Sequence, residues 1–339
     1  MHYGLNSVAP MPVSPACGEP VLWIKGLRLQ IGDTAILHGV DLAVHEGEAV
    51  GIVGESGSGK SMTWRAALGL LPKGASTSGE VTFAGRNILA TAEHDLEGIR
   101  GRRIAAIFQD AASALNPIQR VGSQILESLR IHRSLNGAAA KAEMLRLLDQ
   151  VGIVDAANRS RAYPHELSGG QNQRMAIAMA LAGNPEILIA DEPTTALDPT
   201  IQAQILMLLK RIQLERAMSV ILISHDLGAV AALCNRVCVM YAGRIVEDAP
   251  TAELLSKPEH PYTRALIASI PPLSGERKRL QAIGGEPPDP RHMPKGCAYA
   301  PRCSSLSEEC KESIPAPVCL RGSHSIRCFT ATRALGLAP

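Results

Sequence analysis

An excess of charge of either sign is absent from this chain. Lysine and arginine total 34 against 32 aspartates and glutamates in 339 residues, so no overall field points to nucleic acid or to an anionic lipid surface. Long apolar runs are missing too. The longest candidates, such as Val220 to Ile223, fall far short of the ~20 residues that cross a bilayer and read as interior strands. Met1 to Pro20 holds four prolines but neither a basic start nor an apolar block, which is the composition of a disordered leader rather than of a signal peptide. Internal repeats and low-complexity tracts are lacking as well. A cytoplasmic protein that does not itself span a membrane is expected, long enough for one domain with a substantial core plus a second, smaller unit.

What is present is a phosphate site. Gly54, Glu55, Ser56, Gly57, Ser58, Gly59, Lys60 and Ser61 read GESGSGKS. The three glycines permit backbone conformations that a β-carbon forbids, so successive N–H groups converge on phosphate oxygens at the start of the next helix, which Met62 continues. Lys60 is expected at the β- and γ-phosphates of a nucleotide, with the Ser61 hydroxyl on magnesium. Glu48 to Val53 reads as a buried strand before the loop and Met62 to Leu71 as the helix after it.

Further along, Ile187 to Glu192 (ILIADE) is an apolar strand delivering two carboxylates to the carboxyl edge of a parallel sheet. Asp191 suits magnesium, and Glu192 suits polarisation of an attacking water. Leu167 to Gln171 (LSGGQ) opens a second anion-receptive helix terminus with Ser168, Gly169, Gly170 and Gln171. One chain therefore carries two separate phosphate grips.

Strands are expected at Leu22 to Leu29, Val40 to Val44, Ala49 to Val53, Gly79 to Phe83, Ile104 to Phe108, Ile187 to Ala190, Ser219 to Ser224 and Arg236 to Tyr241. Helices are expected at Gly122 to His132, Ala138 to Val151 and Ala156 to Arg161. That alternation predicts an α/β fold with a largely parallel sheet. From about Glu259 prolines crowd in (Pro271, Pro272, Pro287, Pro288, Pro290, Pro294), and five of eight cysteines, Cys297, Cys303, Cys310, Cys319 and Cys328, fall in the last 43 residues. Cys17, Cys234 and Cys238 are scattered. In a reducing compartment such a cluster points to metal more than to disulfides.

Taken together, GESGSGKS, ILIADE and LSGGQ make the chain resemble the ATP-binding cassette (ABC) ATPases over Val21 to about Glu247. The resemblance implies the P-loop cassette fold: a mostly parallel core, an antiparallel β part and a helical subdomain at about 110–170. It also implies that LSGGQ of one subunit closes over the γ-phosphate held by another. Gln109 resembles the nucleotide-sensing glutamine, with a share in the magnesium site. Ala196, Leu197 and Asp198 resemble the loop linking the two sites across the dimer, and His225 in ILISHD resembles the switch histidine that contacts the γ-phosphate.

SALNP at Ser113 to Pro117, DEPTTALD running on to QAQIL at Gln202 to Leu206, and HPYTRAL at His260 to Leu266 resemble the dipeptide, oligopeptide and nickel importer branch. Residues 1–20 are then a leader, 21–258 the nucleotide-binding domain and 259–339 a small Cys-rich C-terminal domain. In that branch the four cysteines matching Cys297, Cys303, Cys310 and Cys328 are associated with a [4Fe-4S] cluster, whereas spacing alone leaves zinc equally open. Cys319 is the spare. The resemblance implies two membrane permease subunits, a second and paralogous ATPase subunit, and indirectly an extracytoplasmic solute-binding protein, with no nucleic acid. It implies a peripheral position on the cytoplasmic side of the inner membrane. Dipeptides, longer peptides, glutathione and nickel stay open as solutes. Two departures stand out: Ile31 occupies the place of an adenine-stacking aromatic, and Ala111 that of a frequent proline.

Overall fold

The computed structural model describes residues 19–109, 114–195, 197–270 and 282–336. The expectations resting on the leader up to residue 18, Cys17, Ala111, Ser113, Ala196, Pro271 and Pro272 lie outside them.

Two sheets carry the fold. Strands β1 (Leu22–Ile31), β2 (Thr34–Val44), β4 (Ala75–Phe83) and β5 (Arg86–Asn87) form an antiparallel sheet in the order β2-β1-β4-β5. The larger sheet has the order β11-β12-β10-β9-β3-β8-β7-β6. Its parallel centre is β3 (Ala49–Val53), β6 (Ile104–Ile107), β7 (Ile187–Asp191), β8 (Ser219–Ile223) and β9 (Arg236–Tyr241). Strands β3 and β8 are buried at every position, as continuous apolar runs covered on both faces must be. The two faces feed two separate clusters. Val50 and Ile52 pack toward the antiparallel sheet with Trp64, while Ala49 and Val53 pack toward Leu147, Leu148, Met175 and Leu209. Alternation along one strand thus joins both layers.

The sequence left three strands of this sheet unread. Strand β10 (Arg244–Pro250) returns antiparallel beside β9 across the Ala242-Gly243 turn. Strands β11 (Val318–Arg321) and β12 (His324–Ile326) form a hairpin whose second strand pairs with β10, Glu247 opposite Ile326. The region from Glu259 onward, expected as a second unit, is therefore joined to the first through the sheet. Tyr262 and Tyr299 are buried in the main core, and their rings lie 5.4 Å apart and within 5.2 Å of Tyr241. Among the described residues, what the tail buries by itself is slight: one cluster around Ala300, Cys310 and Phe329 and another around Ile326, Cys328 and Ala331.

Helices Val121–Arg133, Gly137–Gln150 and Ala156–Arg159 fill the middle block as expected. The first two pack on helix Gly169–Leu181 and the third packs on Gly137–Gln150, so the signature motif heads a helix rooted in this helical layer. No helix among the described residues is long and apolar enough to cross a membrane.

Candidate functional site

The phosphate loop joins β3 to helix Lys60–Ala67. Gly59 caps that helix at φ 101° with no side-chain hydrogen bond, so the first-turn N–H groups stay free for an anion. Gly54 is required sterically, because a Cβ there would lie 2.1 Å from the Met240 carbonyl oxygen. Gly57 sits at φ 78° with open space on its Cβ side. Lys60 Nζ donates to the Gly54 and Glu55 carbonyls at 2.8 and 2.9 Å, which folds the ammonium back over the loop. Burial lowers the Lys60 pKa, against which the charges of Glu192, Asp191 and Glu55 act to raise it.

The second half of the site arrives from the neighbouring strands of the sheet. Asp191 ends β7, and its Oδ1 accepts from Ser61 Oγ at 2.9 Å. Burial raises the Asp191 pKa, with the Ser61 hydrogen bond opposing and the Glu192 carboxylate adding to the rise. Glu192 follows at φ +49°, a left-handed conformation that a non-glycine residue adopts at a cost of roughly 1–3 kcal/mol. The chain holds it there through the Glu192 N–H donating to the Ile223 carbonyl at 2.8 Å. Its Oε2 accepts from Gln109 Nε2 and from Thr195 Oγ1, both at 2.9 Å, and its Oε1 lies 3.3 Å from His225 Nδ1. The His225 side chain is 65% exposed, free to turn toward a ligand.

Of the expected residues, the structure therefore gathers Gly54 to Ser61, Gln109, Asp191, Glu192 and His225 at one edge of the sheet. It does not bring Ser168, Gly169, Gly170, Gln171 or Asp198 into hydrogen-bonding contact with them. Ser168 and Gln171 form a reciprocal cap on their own helix, at 3.3 and 3.0 Å. Asp198 caps helix Pro199–Arg216 by accepting from the Thr200 and Ile201 N–H groups. Gly170 packs on Ile201, where a Cβ would come within 2.9 Å of Cγ2. Ile31, partly buried, ends β1 opposite Thr34 and Ala75. Thr195 was not singled out from the sequence, although it stands three residues past Glu192 in the same motif.

The donor set fits a magnesium nucleotide. A hydroxyl and a carboxylate meet at Ser61 and Asp191, as a hard cation requires. Ser58 Oγ, buried in the loop, has no hydrogen-bond partner.

Two family descriptions match the chain: "ABC transporter" over residues 37–195, and "Oligopeptide/dipeptide transporter, C-terminal region" over residues 246–310. It is 43% identical over 311 residues to the oligopeptide transport ATP-binding protein OppD of Escherichia coli, covering 91% of this chain and 92% of that protein. The chain belongs to the ABC transporter ATPases. The dipeptide transport ATP-binding protein DppD of Bacillus subtilis is 43% identical over 317 residues, covering 92% of this ATPase and 95% of the relative. Among solved structures, a dimeric ATP-binding cassette in a post-hydrolysis state bound to ADP and phosphate superposes with a TM-score of 0.60 at 29% identity. It covers 68% of this chain and 98% of the cassette. This ABC ATPase hydrolyses ATP as a transporter subunit of the oligopeptide/dipeptide class.

Its tail brings Cys297, Cys303, Cys310 and Cys328 around one narrow cavity that His260, Tyr299 and Phe329 also line. Burial pushes the Cys297 thiol up to about 11, with Cys310, Cys328 and Cys303 adding to the rise, and it raises Cys303 and Cys328 as well. Cys319 stands apart on β11, exposed, its Sγ on the Gly322 carbonyl. The donor types suit a thiophilic metal, but the arrangement is not closed. Among the described residues no group of three or more histidine, cysteine or acidic side chains is placed to hold a metal ion.

Proposed function

We propose that this chain powers the uptake of peptides, docked on the cytoplasmic face of two membrane permease subunits and paired with a second, paralogous cassette. One observation carries the reading. The phosphate loop and the catalytic carboxylate meet within the chain, while the signature at Ser168 to Gln171 is held on a different element and contributes nothing to that site. A complete site needs a signature from another subunit, and the dimeric state of the solved cassette supports this.

Within such a site Lys60 and the free N–H groups of helix Lys60–Ala67 bind the β- and γ-phosphates, with Gly54 to Ser61 setting their register. Ser61 and Asp191, with Gln109 on the neighbouring Glu192, would hold magnesium, which would supply charge neutralisation for the phosphates. Glu192, fixed by Gln109 and Thr195, accepts a hydrogen bond from the water aligned with the γ-phosphorus. His225 steadies that water and a γ-oxygen. Positioning and charge stabilisation supply nearly all the catalysis in phosphoryl transfer. The matching C-terminal region and the peptide-transport names of the relatives support peptides as the solute, delivered by an extracytoplasmic binding protein. The test is turnover of the purified chain. Its rate per mole is expected to be low and to rise on adding a second cassette; full turnover by a demonstrated monomer refutes the trans arrangement.

The four cavity cysteines are proposed to hold a structural metal centre, with the iron–sulfur cluster of the peptide-importer branch as the first choice and zinc as the alternative. Metal would supply folding free energy that the tail's two small apolar clusters do not. Anaerobic purification with iron, sulfide and zinc analysis decides it: stoichiometric zinc without sulfide removes the cluster, and no metal removes both. Cys303→Ser should lower the metal content and Cys319→Ser should leave it unchanged.

A further inference from the structure

The tail reaches the nucleotide site through one side chain. Arg302 lies in the short turn Ala300–Arg302, bounded by the cavity residues Cys297 and Cys303. Its side chain is only 3% exposed and crosses to the phosphate loop. Nη1 donates to Glu55 Oε2 at 2.7 Å and Nη2 to Glu55 Oε1 at 3.0 Å, a two-pronged pairing of guanidinium and carboxylate across 247 residues of sequence. The remaining donors are also placed: Nη1 reaches Tyr241 Oη at 3.2 Å, and Nε reaches the Gly284 carbonyl at 2.8 Å. The planar head stands 5.8 and 5.9 Å from the rings of Tyr241 and Tyr299. Glu55 is fixed from a second side, because its N–H donates to Tyr262 Oη at 2.8 Å. Its carbonyl receives Lys60 Nζ. Tyr262 and Arg302 both come from the region beyond residue 258, so that region grips a phosphate-loop residue by main chain and side chain together.

Glu55 is an awkward residue for its position. Its carboxylate adds a negative charge beside a loop whose task is to bind a polyanion, and a buried or half-buried charge of the wrong sign acts strongly at short range. Arg302 cancels that charge and fixes its direction. We propose that Arg302 is a positioning residue for nucleotide binding: it masks the Glu55 carboxylate and holds the phosphate loop in register, so the C-terminal region sets the affinity of this ATPase for magnesium nucleotide. The inference rests on the ATPase reading of the phosphate loop and extends it to the tail.

The test is equilibrium titration of the full chain with a fluorescent ATP analogue and magnesium, beside a melting curve without nucleotide. Arg302→Ala should raise Kd about tenfold. Adding Glu55→Gln to Arg302→Ala should bring Kd back to within about threefold of the wild-type chain, because the unmasked charge is then gone. Arg302→Lys, which keeps the charge but loses the fork, should fall between. Tyr262→Phe, the gentler change if Arg302→Ala folds poorly, should raise Kd about threefold. A folded Arg302→Ala chain with Kd within twofold of wild type overturns the proposal. So does a weakened variant that Glu55→Gln fails to rescue, since a merely structural loss is not repaired by removing a carboxylate. A wild-type chain that binds no magnesium nucleotide overturns the ATPase reading itself.

Discussion

Glu192→Gln separates positioning from charge at the carboxylate proposed as catalytic. The backbone at φ +49° imposes the same strain on glutamine as on glutamate, and the Glu192 N–H bond to Ile223 is untouched. A carboxamide oxygen still accepts from Gln109 Nε2 and Thr195 Oγ1, and its nitrogen faces His225 Nδ1 where Oε1 now lies. Folding stability should therefore move by no more than about 0.5 kcal/mol. Binding should hold or tighten. The Glu192 charge contributes to the raised pKa of Asp191, so its removal eases ionisation of the carboxylate proposed to hold magnesium and takes one negative charge away from the proposed γ-phosphate position. Chemistry should fail. Loss of the group that orients and polarises water removes a contribution of about 10²–10⁴-fold, equivalent to about 2.7–5.5 kcal/mol of activation free energy. The assay is phosphate release at saturating magnesium ATP with the partner cassette present, beside equilibrium nucleotide titration. A kcat within threefold of wild type refutes the assignment, and a tenfold rise in Kd with unchanged kcat would mark Glu192 as a structural residue.

Other outcomes follow from the same structure. Lys60→Ala should raise Kd for magnesium ATP at least tenfold in that titration, because it removes the cation folded over the loop at Gly54 and Glu55. Arg236→Ala should cost about 3–5 kcal/mol in urea unfolding, since it strips the partner from Glu48 at 2.7 Å and from Asp248 at 2.8 Å and leaves a buried carboxylate alone. The tail hairpin should show a pH window. His324, fully buried, lies between Glu247 and Glu253 at 2.9 and 3.1 Å; burial opposes its charging, but the two carboxylates outweigh it and its pKa is raised above 6.5. Burial likewise opposes ionisation of Glu247 and Glu253, yet the His324 contacts, with Arg321 on Glu253, hold both below 4.5. The histidine's contribution is complete below pH 6.5 and is lost as pH rises through its raised value, while the carboxylates' contribution is complete above pH 4.5 and is lost as pH falls. Hydrogen exchange of β12 should thus be slowest between those limits, and His324→Gln should abolish the alkaline change; an unchanged alkaline limb in that variant counts against the assignment.

Much of this protein is determined by contiguous stretches of its sequence. A phosphate loop works through its own backbone, so GESGSGKS declared its glycines, Lys60 and Ser61 without any tertiary information. Buried parallel strands are continuous apolar runs, and β3 and β9 were placed to the residue for that reason. ILIADE carried Asp191 and Glu192 to a strand end by the same logic. Strand β10 escaped because Glu247 and Asp248 interrupt its apolar pattern; their partners, Arg236 and His324, lie on other strands and lend the acids a buried place. Only the tertiary structure could decide what Glu55 faces. Its carboxylate meets Arg302 and its N–H meets Tyr262, both more than two hundred residues away. The same holds for the cysteines, which spacing could count but not gather. Pairings that cross so much chain leave no period and no local motif, because they depend on the sheet order that sets β12 against β10 and packs Tyr262 and Tyr299 against Tyr241.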